Sequence, residues 1–352
     1  MTEPGGITRR QVAVALLAAS AFPMSASGAS PSGWYEGATA FRATSAEGKS
    51  EGTGPGATGE AADKPVRTLF AGSSSTYFND MPDAIARVVS GKIKGRSGAP
   101  MVPALVGRSG SDIRVYSQPG FQDYQYGVKP GQTFLQKIAE EKYDFVVPQV
   151  VARFILGEDS EDNPDGKGHI EAIRRYCAAA RAAGSEPVFY EMGWGNNPRT
   201  VEGLKRIVQL ARESEIVWFT PCASAWARVY QERPDLALQH PKDRSHPGDL
   251  GHFLNVACFY ACFTHQSPVE KLPRTFPVWP HWNREEKEAR KAETKARMEA
   301  YKPGPYQASL PGWMRENAAQ GLEHTVTEDT ARYLEKVAWE EWQRLQQQLK
   351  PG

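Results

Sequence analysis

The chain has 352 residues, 42 lysines and arginines against 41 aspartates and glutamates, and 40% hydrophobic residues. That is enough for one large domain or two ordinary ones with a sizeable core, and a formal net charge of +1 removes any global electrostatic reason to expect nucleic acid or an anionic membrane as a partner. Four cysteines, none spaced C-x-x-C, exclude a disulfide scaffold and a zinc ribbon, and 26 prolines with 32 glycines exclude a fibrous or coiled-coil protein.

Residues 1–29 read as an export signal. Arg9 and Arg10 precede an apolar run from Val12 to Phe22, which gives way to small residues ending Ser27-Gly28-Ala29. The run is too short for a stable membrane span, so the leader is expected to be cleaved and the mature protein to be periplasmic or extracellular without a span. Paired arginines ahead of an alanine-rich core resemble the twin-arginine type, with a Sec signal as the alternative. Loss of Arg9, Arg10 and Glu3 with this leader leaves a formally neutral protein, which favours an uncharged substrate. Residues 30–64 are dominated by Gly, Ser, Thr, Ala and Glu. They carry too little apolar surface to offset their ordering entropy and are expected to form a disordered spacer.

From residue 65 to about 348 apolar runs alternate with helical patterns. Strands are expected at 66–71, 100–106, 143–149, 187–192 and 216–220, and helices at 81–89, 133–141, 170–183, 200–213 and 250–264. This order predicts an α/β fold, a three-layer doubly wound (flavodoxin-like) sheet of about five parallel strands, with functional residues just after the strands. Residues 284–301 read as a charged, solvated helical insertion. A last amphipathic helix starts near Thr327, a candidate N-cap, with Ala331, Leu334, Ala338 and Leu345 as its buried stripe.

Leu69-Phe70-Ala71-Gly72-Ser73-Ser74-Ser75 is a strand running into a Gly-Ser turn and then a helix. Such a turn exposes a hydroxyl at the strand's carboxyl end, near backbone N–H groups able to hold developing negative charge. Asn79 and Asp80, a little further on, are expected to serve the start of the next helix. Far downstream, Asp243 and His246 lie three apart on one loop before a helix, a spacing at which a carboxylate can orient an imidazole and stabilise its protonated form. The remaining histidines show no ligand spacing for zinc, although His252 lies close enough in sequence to line a pocket. Cys258 and Cys262, four apart on one helix, are too far apart for a disulfide and are expected to be buried thiols.

Gly72-x-Ser74 at the first strand and Asp243-x-x-His246 near the end resemble the first and last blocks of the SGNH/GDSL hydrolase family. The likeness extends through Ala223-Ser-Ala-Trp226, read as preceding a helix, and through Gly251-His-Phe-Leu254 to the closing helix around Tyr333–Trp339. The resemblance implies a serine esterase in which Ser74 is the nucleophile, His246 the general base and Asp243 its orienting partner. It also implies an oxyanion hole built from the Ser74 amide and a glycine of the second block, Gly110 with Gly107 behind it. The family's Gly-x-Asn-Asp third block is replaced here by Asp144-Phe-Val-Val-Pro-Gln149, so Gln149, or Arg153 beyond it, stands where the third oxyanion donor is expected. The loop at 193–197 is placed to line a substrate pocket. The expected substrate is a small-molecule or carbohydrate ester, with no metal or organic cofactor required. A non-catalytic carbohydrate- or envelope-binding protein and an O-acyltransferase using the same residues are the alternatives.

Overall fold

The computed structural model describes residues 64–116, 126–152, 168–192, 198–280 and 282–350. The export signal, the spacer except Lys64, the loop at 193–197 and Arg153 lie outside the described residues. Strand β1 (Val66–Gly72) leads through a one-turn helix α1 (Ser74–Tyr77) and a 3-10 turn (Phe78–Asp80) into α2 (Met81–Val89). Strand β2 (Met101–Gly107) is followed by α3 (Ile113–Tyr116) and α4 (Phe134–Glu141), β3 (Phe145–Val151) by α5 (His169–Ala182), and β4 (Glu186–Met192) by α6 (Pro198–Glu213). Strand β5 (Trp218–Thr220) precedes α7 (Cys222–Glu232) and α8 (Asp249–Thr264). Then come β6 (Thr275–Val278), α9 (Arg284–Ala289), α10 (Lys291–Ala300), α11 (Pro305–Ser309), α12 (Gly312–Ala319), β7 (Leu322–Thr325) and α13 (Glu328–Leu349).

Strands β1 to β5 form one parallel sheet in the order β2-β1-β3-β4-β5, the expected doubly wound α/β arrangement. Alternate residues serve opposite layers. Phe70, Val147, Val188 and Tyr190 share a core with α2, α8 and α13, whereas Leu69, Ala71, Val146, Val150 and Phe189 pack with α4, α5 and α6. Burial on both faces explains why β3 reads as an unbroken apolar run, with all seven of its residues buried. Prolines fall where the ladder tolerates them. Pro103 lies on edge strand β2, and the β3–β4 pairing lapses across Pro148 between Val146↔Pro187 and Gln149↔Tyr190.

Several local expectations change. Ile216 is not in β5: its N–H donates to Ala211 O at 2.8 Å, closing α6 after left-handed Glu215. The segment Ala223–Trp226 forms the start of α7 rather than preceding a helix. The charged insertion is two helices broken at Arg290, neither with a buried residue. Thr327 is the N-cap of α13, but its hydroxyl donates to Thr330 Oγ1 at 3.0 Å and makes no bond to the helix backbone. The antiparallel pair β6–β7 was not expected. All four cysteines are buried free thiols, and among the described residues no helix is long and apolar enough to cross a membrane.

Glu191, at the carboxyl end of β4, is fully buried and accepts from Ser224 N–H at 2.8 Å and Ser224 Oγ at 3.0 Å, capping the first turn of α7. Burial raises its pKa from 4.5 to about 7 against the lowering effect of the Ser224 bonds. Between those values the folded state holds a proton that the unfolded chain has released, so this group's contribution to stability falls as pH rises from about 4.5 to 7. Glu191→Gln, which keeps an acceptor for the Ser224 N–H, should therefore gain melting temperature relative to the wild type on moving from pH 5 to pH 8. Calorimetry at the two pH values would show an unchanged difference if Glu191 were ionised throughout.

Candidate active site

The order of the sheet places its switch point between β1 and β3, where doubly wound proteins bind ligands. Ser74 lies just beyond β1, and Gln149 directly follows the last β3 residue paired with β1, Pro148, so both stand at that point. Ser73 caps α1, its hydroxyl accepting from Ser75 N–H at 3.4 Å. Ser73 and Ser75 are each 5% exposed, while Ser74 is only half-buried. Of three consecutive serines, the turn presents Ser74 outward.

The turn is held from three neighbouring strands. From the β2 side, Arg108 N–H donates to Gly72 O at 3.1 Å and the Ser109 and Tyr77 hydroxyls are 2.6 Å apart. From β4, Tyr190 Oη donates to Ser75 O at 3.3 Å. From β3, Gln149 Oε1 accepts from Ser73 N–H at 3.1 Å, Ser73 Oγ at 3.0 Å and Thr76 Oγ1 at 2.9 Å. A backbone N–H only donates, so the amide cannot be reversed. Gln149 Nε2 is thereby turned away from the Ser73 amide, buried and without a partner among the described residues, an enclosed atom and not the accessible third oxyanion donor expected of it.

The Asp243–His246 pair is formed. Asp243 Oδ1 accepts from Ser245 N–H at 2.8 Å and His246 N–H at 3.0 Å, and its Oδ2 lies 2.9 Å from His246 Nδ1. Burial alone would raise the Asp243 pKa, but the two backbone N–H groups and the imidazole outweigh it and hold the carboxyl down at about 2. The loop closes through His240 N–H to His246 O at 2.8 Å and Arg244 N–H to His240 O at 2.9 Å. It docks on the residues directly after Ser74's helix: the His246 ring stacks on Phe78 with centroids 4.3 Å apart, and Asn79 Nδ2 donates to Pro247 O at 3.2 Å. A carboxylate on Nδ1 favours the tautomer whose lone pair is on Nε2.

The glycines fit less closely. Gly110 sits exposed in a turn with φ of +66°, and its loop reaches the serine turn through Arg108 and Ser109 instead. Gly107, the second choice, is not a spare donor, because its N–H donates to Tyr126 O at 3.2 Å. His252 is buried at 2% exposure and lines a cavity behind the Asn79–Asp80 backbone. Among the described residues no group of three or more His, Cys, Asp or Glu is placed to hold a metal ion.

Two residues in the site carry roles the sequence did not suggest. Asn79 does not serve the start of α2. Its Oδ1 accepts from Trp279 N–H at 2.9 Å while its Nδ2 holds the histidine loop, so it ties three distant segments together. Phe78 is the platform for the imidazole and also faces Trp279, with centroids 5.6 Å apart. Only the run Tyr77-Phe78-Asn79 ahead of Met81-Pro82 marks this turn in the sequence, and nothing local names its partners more than 160 positions away.

The sequence matches no protein-family model and no curated protein. Among solved structures it is similar to a DUF4886 family protein from Bacteroides uniformis ATCC 8492, determined at 1.50 Å resolution. The likeness has 13% identity and a TM-score of 0.42, covering 70% of this chain and all of that one.

Proposed function

We propose that the chain is an exported serine hydrolase that cleaves an ester through an acyl-enzyme. The observation that carries this reading is the hydrogen-bonded Asp243–His246 pair docked on the turn that points Ser74, alone of three serines, outward. Ser74 Oγ attacks the acyl carbon as His246 Nε2 takes its proton, and Asp243 stabilises the imidazolium that results. The tetrahedral oxyanion is held by the Ser74 N–H at the helix start, with the Gly110 amide as a further candidate, while Gln149 acts through the turn that its Oε1 holds. Collapse of the intermediate transfers the imidazolium proton to the leaving alkoxide. Water then attacks the acyl-enzyme by the same proton path in reverse and releases the acid. A carbohydrate O-acyl ester is the substrate class suggested by an exported, formally neutral enzyme.

The test is direct. Purified protein should hydrolyse a short-chain p-nitrophenyl ester and take up a fluorophosphonate on the peptide containing Ser74. Absence of both turnover and labelling would overturn the proposal. Gln149→Leu removes the acceptor of the Ser73 N–H, Ser73 Oγ and Thr76 Oγ1 and is expected to destabilise the protein by about 1–3 kcal/mol, with turnover falling as the turn that presents Ser74 loosens. Urea denaturation showing no loss of stability would mean that Gln149 does not hold the turn.

A further inference from the structure

Behind the Phe78–Asp80 turn lies a cavity of about 350 Å³ that Ser74 and His246 do not line. Its walls come from that turn (Asn79, Asp80), from α2 (Asp83, Ala84, Arg87), from α8 (His252, Phe253, Val256), from β6 and the residues after it (Phe276, Trp279), and from Tyr301 at the end of α10. The volume lies within the range of small-molecule pockets, which are mostly apolar with a few placed polar groups. Three lining residues carry such groups. Asp80 Oδ1, Trp279 Nε1 and His252 Nε2 are buried without a partner among the described residues, and Trp279 and His252 are only 5% and 2% exposed.

The charges select the ligand. Asp80 Oδ2 accepts from Gln307 Nε2 at 3.2 Å, a neutral donor. The nearby cation, Arg87, is committed to Asp83 with Nε 2.5 Å from its Oδ2. The lining thus carries one uncompensated carboxylate beside four aromatic rings, Phe253, Phe276, Trp279 and Tyr301. An unpaired buried carboxylate calls for a cation, and the faces of Trp, Tyr and Phe attract one as well. His252 does not oppose this, since burial pushes its imidazole down to about 4 and keeps it neutral. Asp80 is raised to about 7 by burial and by the Asp83 carboxylate, which outweigh the Gln307 hydrogen bond and the Arg87 charge. The turn that carries it holds two successive left-handed residues, Asn79 (φ 56°) and Asp80 (φ 55°). Such strain persists only where the surroundings fix it and is concentrated at ligand sites.

We propose that this cavity is a second ligand site, separate from the serine centre, that binds a small organic ammonium ion with an apolar body, its cationic head on Asp80 and the aromatic rings. The proposal does not depend on the hydrolase reading, and its test uses binding alone. Titration calorimetry of the full chain with 3-phenylpropylammonium should show one saturable site at least tenfold tighter than for 3-phenylpropanol, which has the same body and no charge. Asp80→Asn should reduce the preference for the amine to under twofold while leaving the alcohol unchanged. Ala84→Trp, which fills the cavity from its wall, should abolish binding of both compounds and serves if the Asp80 variant does not fold. Equal affinity for amine and alcohol in the wild type, binding that survives Ala84→Trp, or no saturable binding would each overturn the proposal.

Discussion

Replacing Ser74 with alanine is expected to lower ester turnover by about 10⁴- to 10⁶-fold, the scale on which removal of a triad nucleophile acts, and to abolish fluorophosphonate labelling. The melting temperature should barely move. Ser74 is half-buried and its neighbours carry the structural hydrogen bonds of the turn, so the lost hydroxyl removes chemistry and little packing. Ser73→Ala is the matched control. It deletes the N-cap of α1 and the bond from Ser73 Oγ to Gln149 Oε1, a loss of about 1 kcal/mol in stability, yet it leaves the nucleophile in place and should retain labelling. If Ser73→Ala or Ser75→Ala abolished labelling while Ser74→Ala did not, the register of the nucleophile would be wrong by one residue.

Legibility in the sequence followed the range of the interactions involved. The strands and most helices flanking them carry their signal locally, in apolar period and in breakers: α2, expected at 81–89, is found at Met81–Val89, with Pro82 in its first turn. Strands β6 and β7 are four residues each, contain Pro277, and pair across more than forty intervening residues, so neither period nor turn chemistry marks them. The start of α7 carries little local signal, because Ala223, Ser224 and Ala225 are small residues after Pro221. Their helicity depends on burial against β4 and on the Glu191 carboxylate at their N–H groups. In the site, spacing was enough to expect the Asp243–His246 contact, because both residues lie on one short loop. The roles of Phe78 and Asn79 come from contacts with His246, Pro247 and Trp279, which no window of sequence contains. The left-handed pair at Asn79–Asp80 was equally hidden. Asn and Asp tolerate that conformation better than other non-glycine residues, but nothing in a sequence requires it of them.

Gly72→Ala is expected to destabilise the protein by roughly 3 kcal/mol and to remove most turnover with it. An added Cβ would lie 2.1 Å from Thr76 Oγ1, 2.8 Å from Gln149 Oε1 and 2.9 Å from Gln149 Cβ. Gly72 closes β1 without a left-handed φ, so crowding, and not backbone freedom, demands glycine here. None of the three neighbours yields cheaply. Thr76 is β-branched, stiff at χ1 and fully buried. Gln149 Oε1 is pinned by three donors, so moving it strands the buried Ser73 N–H. Thr76→Ala removes the nearest of the clashing atoms and leaves the two on Gln149. In the Gly72→Ala background it should therefore recover part of the loss, about 1 kcal/mol in a double-mutant cycle, without restoring the rate. Urea denaturation of the four proteins measures this coupling. A cycle that closes with no coupling, or a Gly72→Ala protein as stable as the wild type, would mean that the serine turn is not clamped against β3 as tightly as these distances require.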